Sequence, residues 1–185
     1  MLFSKADVGR SKLKLCKERV KMCDPNVAVE EFPKGLSKEN VSDFVADCDI
    51  IIEECDDFLV KFLVRKEAMK YKKPVLMATS QNGMVDIERY DVDNNILPFH
   101  VDNLEELEPL MVNNLTAEAK AEMLPKLFDI RLFSNRFTES SKEIGKSISS
   151  WPQLAEEVFL SAATLTHLSR QILLGDKDIP SGRSL

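Results

Sequence analysis

Residues 48–79 read CDIIIEECDDFLVKFLVRKEAMKYKKPVLMAT, and this stretch decides the fold. It contains an apolar run at residues 50–52 and a second at residues 75–78, and the residues between them place apolar side chains at helical spacing. Two short apolar runs joined by a helix predict a parallel strand–helix–strand crossover. Ligands of such units bind beyond the carboxyl ends of the strands.

The first apolar run ends in a segment that we call the acidic tip: Glu53, Glu54, Cys55, Asp56 and Asp57. Clustered carboxylates need a metal ion, a basic partner or water, because burying an unpaired charge is costly. We therefore expect the acidic tip to line a crevice at the end of the strand. Asp57 is also placed to cap the helix that follows it, and the sequence leaves both roles open.

The composition is that of an ordinary globular chain, with 185 residues, 44% hydrophobic and 30% charged. The net charge is -6 and the 25 lysines and arginines are dispersed, which argues against a nucleic-acid-binding surface. Glu156, Glu157 and Arg170 interrupt the apolar segment near the C-terminus, which argues against a membrane span. No signal peptide is recognisable after Met1, so we expect a cytoplasmic protein.

Cysteine and histidine usage bears on disulfides and metals. The four cysteines form no CxxC pair and lie in the first third of the chain: Cys16, Cys23, Cys48 and Cys55. In a cytoplasmic protein they are expected to be free thiols. The two histidines, His100 and His167, are far apart in sequence, so no zinc site is expected.

A helix, a strand and a second helix are predicted before residue 48. Ser11 is a suitable cap for the first helix, and Pro25 ends it. One face of that helix is predicted from four residues at helical spacing: Leu13, Cys16, Val20 and Cys23. Alternation over residues 27–31 predicts the strand, and Ser37 is expected to cap the second helix, which closes at Asp47.

A turn ending at Gly83 precedes residues 84–90, which predict an antiparallel or edge strand. The polar side of this strand is expected to carry three charged residues: Asp86, Glu88 and Arg89. Residues 104–133 then place apolar side chains at helical spacing. These elements predict an α/β class, with a Rossmann-like, mostly parallel sheet followed by a mainly helical C-terminal part.

The last predicted helix begins at a capping box over residues 150–153, which contains Trp151. It carries a wide apolar stripe over residues 154–173, and Gly175 ends it. Such a helix belongs to a core or to a dimer interface. We expect the chain to self-associate through this helix or through the edge of the sheet.

The order of the pieces resembles a known family. Asp-Val-Gly-x-x-Lys at residues 7–12 opens a helix that ends in Asp-Pro-Asn, and an apolar strand ends later in Cys55, Asp56 and Asp57. This arrangement, over residues 7–90, resembles the ThiF/MoeB/HesA family, the prokaryotic relatives of ubiquitin-activating enzymes. Residues 148–183 resemble a bacterial subgroup that is joined to a nitroreductase-like domain.

The resemblance implies ATP-dependent adenylation of the C-terminal carboxylate of a ubiquitin-like carrier protein. It implies that Lys12 contacts the ATP phosphates and that Asp56 holds Mg²⁺, with Asp57 beside it in the nucleotide site. A carboxylate that attacks a phosphate is an anion meeting an anion, so a cation and a metal are needed to neutralise the charge that develops. We expect Lys12 and Asp56 to converge on the same mouth of the sheet.

The chain departs from the family pattern in ways that bear on whether it is active alone. The family's glycine-rich loop and its Ser-Asn-Leu-x-Arg-Gln segment belong before residue 7, so the predicted sheet lacks the family's first strand and helix. We therefore expect a piece of a longer protein that is inactive alone, with a partial nucleotide-binding domain over residues 1–100 and the helical part of the same domain over residues 101–185.

Further departures concern the acids and thiols. Glu54 stands where the family has cysteine and Asp57 where it has asparagine, and the added charge favours a metal or marks a site that no longer binds nucleotide. No cysteine follows Cys55, so neither the family's zinc site nor a thioester-forming cysteine is expected. The neighbouring acids are expected to raise the pKa of Cys55.

Two alternatives to an adenylating enzyme follow from the sequence. The first is a non-catalytic scaffold that dimerises or docks a flavin-dependent nitroreductase-like domain. The second is a Rossmann oxidoreductase, but the chain contains no GxGxxG segment to support it.

Overall fold

The structure is a computed structural model that describes residues 4–79, 83–102, 127, 133–149 and 152–184. The helices are α1 (Lys12–Cys23), α2 (Val41–Ala46), α3 (Phe58–Tyr71), α4 (Asn135–Ser141) and α5 (Ala155–Leu173). The strands are β1 (Ile51–Ile52), β2 (Val75–Ala78), β3 (Val85–Glu88) and β4 (Gly182–Ser184), and short 3-10 helices cover Lys5–Asp7 and Pro98–His100. The chain divides into two compact units, Met1–Leu36 and Ser37–Leu185.

The first unit contains α1, which begins as predicted. The Oγ of Ser11 accepts a hydrogen bond from the Lys14 N–H at 3.5 Å, and the helix closes at Asp24, just before Pro25. The predicted apolar face is wrong, because Leu15 is buried while Cys16 is exposed. Leucine has more apolar surface to bury than cysteine, so it determines which face of this mostly polar helix packs.

The strand predicted over residues 27–31 is also wrong, since none of the strands lies within residues 4–36. Alternating residues form a strand only where a neighbouring strand can accept their backbone hydrogen bonds. Val27 is 42% exposed here, and Glu31 forms an ion pair with Lys17 at 2.6 Å instead.

The second unit is built on a four-stranded sheet in the order β1-β2-β3-β4. β1 and β2 pair in parallel and α3 connects them, so the predicted crossover is confirmed. β3 lies antiparallel to β2, as predicted for residues 84–90, and β4 lies antiparallel to β3. The α/β class is confirmed, and among these four strands β1 and β2 are the parallel pair.

The two faces of the sheet are covered by different helices. α5 packs on one face, where Leu165 and Ile172 contact Leu76, Val85 and Ile87. α3 lies on the other face, where an apolar cluster packs against Met77: Phe58, Phe62, Phe99 and Leu127. The alternation of side chains along β3 therefore sends every second residue toward α3.

The remaining predictions concern helix ends. α2 begins at Asn40 rather than at Ser37, whose N–H instead donates to the Asn40 Oδ1 at 2.7 Å. Gly175 follows α5 with a φ of +92°, as a helix stop requires. Most of residues 104–133, together with Ser150 and Trp151, lies outside the described residues. In the described ranges, no helix is both long and apolar enough to cross a membrane.

Candidate functional site

The acidic tip follows β1 directly, at the carboxyl end of the parallel pair, and its first acid is committed to structure. Glu53 is 5% exposed, and its Oε2 lies 2.9 Å from Lys61 Nζ and 2.8 Å from Arg65 Nη1. Its Oε1 accepts the Cys55 N–H at 2.8 Å, so the carboxylate also fixes the backbone of the tip. Burial alone would raise the pKa of Glu53, but the two cations hold it below its ordinary value.

The second acid ties the tip to the neighbouring strand. The Oε1 of Glu54 accepts the backbone N–H of Ala78, the last residue of β2, at 2.7 Å. The carboxyl ends of β1 and β2 are thereby joined by a side chain as well as by the sheet. Glu54 therefore acts as a clamp on the two strand ends.

Asp57, the fourth acid of the tip, caps α3, which is one of the two roles predicted for it. The Oδ1 of Asp57 accepts the N–H groups of Leu59 at 2.9 Å and of Val60 at 3.2 Å, at the first turn of α3. Capping of this kind fixes the direction in which α3 leaves the tip. Both capping bonds use one oxygen, and the binding role of Asp57 remains a prediction.

Asp56 differs from the other three acids. It is exposed, and its carboxylate has no hydrogen-bond or ion-pair partner among the residues that the structure describes. The segment on either side of it is held firmly by Glu53, Glu54 and Asp57. A carboxylate that is fixed in place and left unpaired is suited to a ligand rather than to the fold.

The oxygen of Asp56 fits a magnesium ion, which prefers one or two carboxylates together with water and phosphate oxygens. In the described part of the chain, no three histidine, cysteine, aspartate or glutamate side chains are grouped so that they could hold a metal. A metal at Asp56 would therefore take most of its ligands from water and from a bound phosphate.

Lys12 lies in the other unit, as the first residue of α1. It is exposed, and its ammonium group has no partner among the described residues. The N-terminus of a helix favours anions, because free N–H groups and the positive end of the helix dipole lie there. The convergence of Lys12 with Asp56 remains a prediction.

The predicted rise in the pKa of Cys55 is confirmed. Burial raises the pKa of this thiol to about 12, and Glu53 contributes a smaller part of the increase. The sequence pointed to the neighbouring acids, whereas desolvation is the larger cause. A thiol with such a pKa is almost entirely protonated at neutral pH and is a poor nucleophile.

A cluster of buried charged residues lies next to the acidic tip, and the sequence analysis did not predict it. Arg65 is fully buried, its Nε lies 2.7 Å from Glu88 Oε2, and its guanidinium carbon lies 4.1 Å from the centroid of the Phe99 ring. Asp86 pairs with His100 at 2.8 Å and with Arg183, on β4, at 3.0 Å.

The sequence placed Asp86 and Glu88 on a polar side of β3, and this expectation is corrected because both are 1% exposed. The signal that could have shown their burial is on α3. Lys61 and Arg65 are one helical turn apart and lie among the apolar residues of the helix face that covers the sheet. Two cations on a buried helix face require buried anions opposite them.

Comparisons with known proteins connect the chain to one protein family. The ThiF family model matches residues 1–95 of the chain. The uncharacterized protein MT1398 of Mycobacterium tuberculosis is 36% identical over 177 residues, which are 96% of this chain and 24% of that protein. The sulfur carrier protein adenylyltransferase of Thermus thermophilus is 27% identical over 100 residues, which are 54% of this chain and 34% of that enzyme.

The chain thus spans about a quarter of the first relative and about a third of the second. Among solved structures, the crystal structure of selenomethionine-substituted PaaA aligns with it at a TM-score of 0.52 and 16% identity, covering 100% of this chain and 58% of PaaA. This likeness bears on the fold alone and agrees with the α/β class. Because the family model covers residues 1–95 of 185, more than half of the sequence, the chain belongs to the ThiF family.

Proposed function

We propose that this chain is part of an enzyme that uses ATP and magnesium to adenylate the C-terminal carboxylate of a ubiquitin-like carrier protein. The observation that carries the proposal is the Asp56 carboxylate, which is exposed, unpaired within the described residues and held at the carboxyl end of β1. Membership of the ThiF family and the adenylyltransferase activity named for the Thermus thermophilus relative support the same chemistry.

Each residue of the acidic tip has a role in this proposal. Asp56 binds the metal, and bound Mg²⁺ would neutralise the negative charge of the phosphates. Glu53 and Glu54 hold the tip so that Asp56 stays at one position. Asp57 caps α3 with one oxygen and offers the other to a metal-bound water.

Lys12 supplies a point charge for the phosphates in the same proposal. Its place at the start of α1 adds the helix N-terminus to that charge. The carrier's carboxylate then attacks the α-phosphate, the new acyl–phosphate bond forms, and pyrophosphate leaves. Cys55 is unsuited to a following thioester step, because its pKa is raised to about 12.

Pyrophosphate exchange into ATP tests the proposal. The protein for this assay is the longest one that the coding DNA around this chain encodes, supplied with candidate carriers. Asp56→Asn is expected to lower the exchange rate about 100-fold or more, the size of effect found when one electrostatic stabiliser of a transition state is removed. Its melting temperature should be unchanged, because Asp56 pairs with nothing in the described structure.

Asp49→Asn is the matched control, since Asp49 is an exposed aspartate that precedes β1 at the opposite end of the strand. It should leave exchange unchanged. Equal activity of Asp56→Asn and Asp49→Asn would contradict the metal role of Asp56.

A non-catalytic scaffold is the second candidate, and the exposed apolar residues of α5 favour it. Phe159 and Leu173 are 63% and 56% exposed. The scaffold is supported if the unaltered protein exchanges no pyrophosphate with any carrier and binds no Mg-ATP by calorimetry.

A further inference from the structure

Residues 176–184, which we call the C-terminal strap, follow α5 and end in β4. The first part of the strap is held by Arg89, which follows β3 and is 1% exposed. The Arg89 guanidinium donates to the carbonyl oxygens of Asp176 and Ile179, both at 3.1 Å. Its backbone N–H donates to the Ser181 Oγ at 2.8 Å. This part of the strap is therefore held by groups that do not titrate near neutral pH.

The second part of the strap depends on one carboxylate of β3. The Nε of Arg183, on β4, lies 3.0 Å from Asp86 Oδ2, and the other Asp86 oxygen lies 2.8 Å from His100 Nε2. The Asp86 side chain is 1% exposed. The Arg183 guanidinium also donates to the carbonyl oxygens of Phe99 at 3.3 Å and of Leu127 at 2.7 Å. Two side chains from different segments therefore share one buried carboxylate.

The two side chains on this carboxylate oppose each other when His100 is protonated, because like charges that lie close together repel. The pKa of His100 shows this opposition. Burial and Arg183 lower it, whereas Asp86 raises it and determines the net direction. Coupling between two sites is reciprocal. Because Arg183 makes His100 harder to protonate, a proton on His100 must weaken the contact that Arg183 makes.

The backbone keeps His100 at the shared carboxylate. Phe99 and His100 adopt φ angles of +58° and +56°, in the left-handed region that residues other than glycine rarely occupy. The Phe99 N–H donates to Glu88, and its carbonyl oxygen accepts from Arg183, so that hydrogen bonds hold this turn on both sides. Backbone in such a conformation persists only where its surroundings fix it. A charged His100 therefore remains beside the Arg183 guanidinium.

Two further charged groups face the shared carboxylate and His100. They are Glu88, on β3, and Arg65, on α3, whose Nε and Oε2 atoms lie 2.7 Å apart. Glu88 raises the pKa of His100, and Arg65 lowers the pKa of Asp86. Neither forms a hydrogen bond or an ion pair with the strap within the described ranges. Their charges therefore act on His100 and Asp86, and the strap is affected through Arg183.

We propose that protonation of His100 weakens the hold of β3 on the C-terminal strap, so that the strap opens more readily in mild acid than at alkaline pH. This local effect is opposite to the effect of the same proton on global unfolding, in which Asp86 stabilises charged His100. Ser184 pairs with Val85, which pairs with Ala78, so the strap ends at the sheet edge that carries the acidic tip. Opening of the strap frees the outer edge of β3 at that end.

Hydrogen exchange of the purified full chain, measured by mass spectrometry of its peptides, tests this proposal. Protection factors, which correct for the effect of pH on intrinsic exchange, are compared at pH about 5.5 and about 8, on either side of the ordinary histidine pKa. Peptides that contain β4 should lose about 5-fold in protection at the lower pH, since a nearby like charge shifts a pKa by somewhat less than one unit. Peptides of α3 should lose none.

Three variants assign the effect to the shared carboxylate. Glutamine in His100→Gln can still donate to Asp86 but carries no charge, so the protection of β4 should be equal at the two pH values. His167→Gln, at an exposed position of α5, is the matched control and should keep the full loss of protection. Arg183→Met should lower the protection of β4 at both pH values and leave no difference between them.

Equal protection of β4 at the two pH values in the unaltered chain would overturn the proposal, and this comparison needs no variant to fold. A loss of protection that persists in His100→Gln would overturn it as well. The same holds if β4 exchanges only together with α3, because the strap would then open only when the whole second unit unfolds.

Discussion

Replacing Arg65 with methionine tests how far the buried charge cluster determines stability. The guanidinium is fully buried and pairs with Glu53 at 2.8 Å and with Glu88 at 2.7 Å. Methionine retains most of the aliphatic stem, so the change removes charge rather than volume. Glu53 keeps Lys61 as a partner, but Glu88 loses the guanidinium with which it pairs. We expect a loss of about 3–5 kcal/mol in the free energy of unfolding, the usual cost of removing one member of a buried ion pair.

A second substitution assigns the origin of that loss. Glu88→Gln in the Arg65→Met background removes the unpaired charge, and glutamine still offers an oxygen to the Phe99 N–H that Glu88 accepts. We expect the double variant to recover about 2 kcal/mol, because a neutral amide is less costly to bury than a carboxylate. The two single changes should therefore be strongly non-additive.

Urea denaturation followed by far-ultraviolet circular dichroism measures both effects. With a slope of about 2 kcal/mol per molar urea, a loss of about 4 kcal/mol lowers the midpoint by about 2 M. Arg19→Met, at an exposed position of α1, is the control and should change the midpoint little. A decrease below about 0.5 M for Arg65→Met, or no recovery in the double variant, would refute a stabilising role of the charge cluster.

Three further predictions follow from the same geometry. Burial alone would lower the pKa of His100, but Asp86 raises it above its ordinary value. The stabilisation that His100→Gln removes should therefore be largest below pH about 6.5 and should fade as the pH rises through the folded-state pKa. Urea titrations at several pH values measure this loss, and an equal loss at pH about 5.5 and about 9 would contradict the prediction. Asp57→Ala should destabilise the fold by about 1 kcal/mol through loss of the α3 cap, whereas Asp56→Ala should not, and thermal melting of the pair of variants decides between them. Iodoacetamide at pH about 8 should modify the exposed Cys16 and Cys23 at least about 100-fold faster than Cys55, as peptide mass spectrometry can measure, and comparable rates would contradict the raised pKa of Cys55.

The crossover and the caps of two helices could be predicted from local sequence alone. The change from consecutive apolar residues to helical spacing after residue 57 marks β1 and α3, and Ser11 and Asp57 cap the helices that follow them. These features depend on neighbours within four positions in the chain. For the same reason the strand over residues 84–90 was identified, since a turn signal precedes it.

The burial of Asp86 and Glu88 could not be predicted, because alternation shows which side chains share a face of a strand but not whether that face is covered. The cover comes from α3 and from Phe99, and the partner of Asp86 on β4 is Arg183, 97 residues away. The strand predicted over residues 27–31 failed for a related reason. A strand is defined by a neighbour that its own sequence does not specify.

The site was predicted in outline only. Acids at the carboxyl end of β1 were expected, but their division into three structural carboxylates and one unpaired carboxylate depends on contacts with α3 and β2. In the sequence alone, Asp56 was distinguished from the other acids as a metal ligand only by its match to a family position. The structure gives a physical reason to distinguish it from Glu53, Glu54 and Asp57.

The measurement that most directly tests Asp56 as a magnesium ligand is a change of metal preference. Asp56→Cys, in the longest protein encoded around this chain, replaces a hard oxygen ligand with a soft thiolate. We predict that pyrophosphate exchange with Mg²⁺ falls about 100-fold or more and that Cd²⁺ restores a substantial part of it, while Asp49→Cys keeps its activity with Mg²⁺. Undiminished exchange of Asp56→Cys with Mg²⁺, or a loss that Cd²⁺ does not reverse, would contradict direct ligation by Asp56.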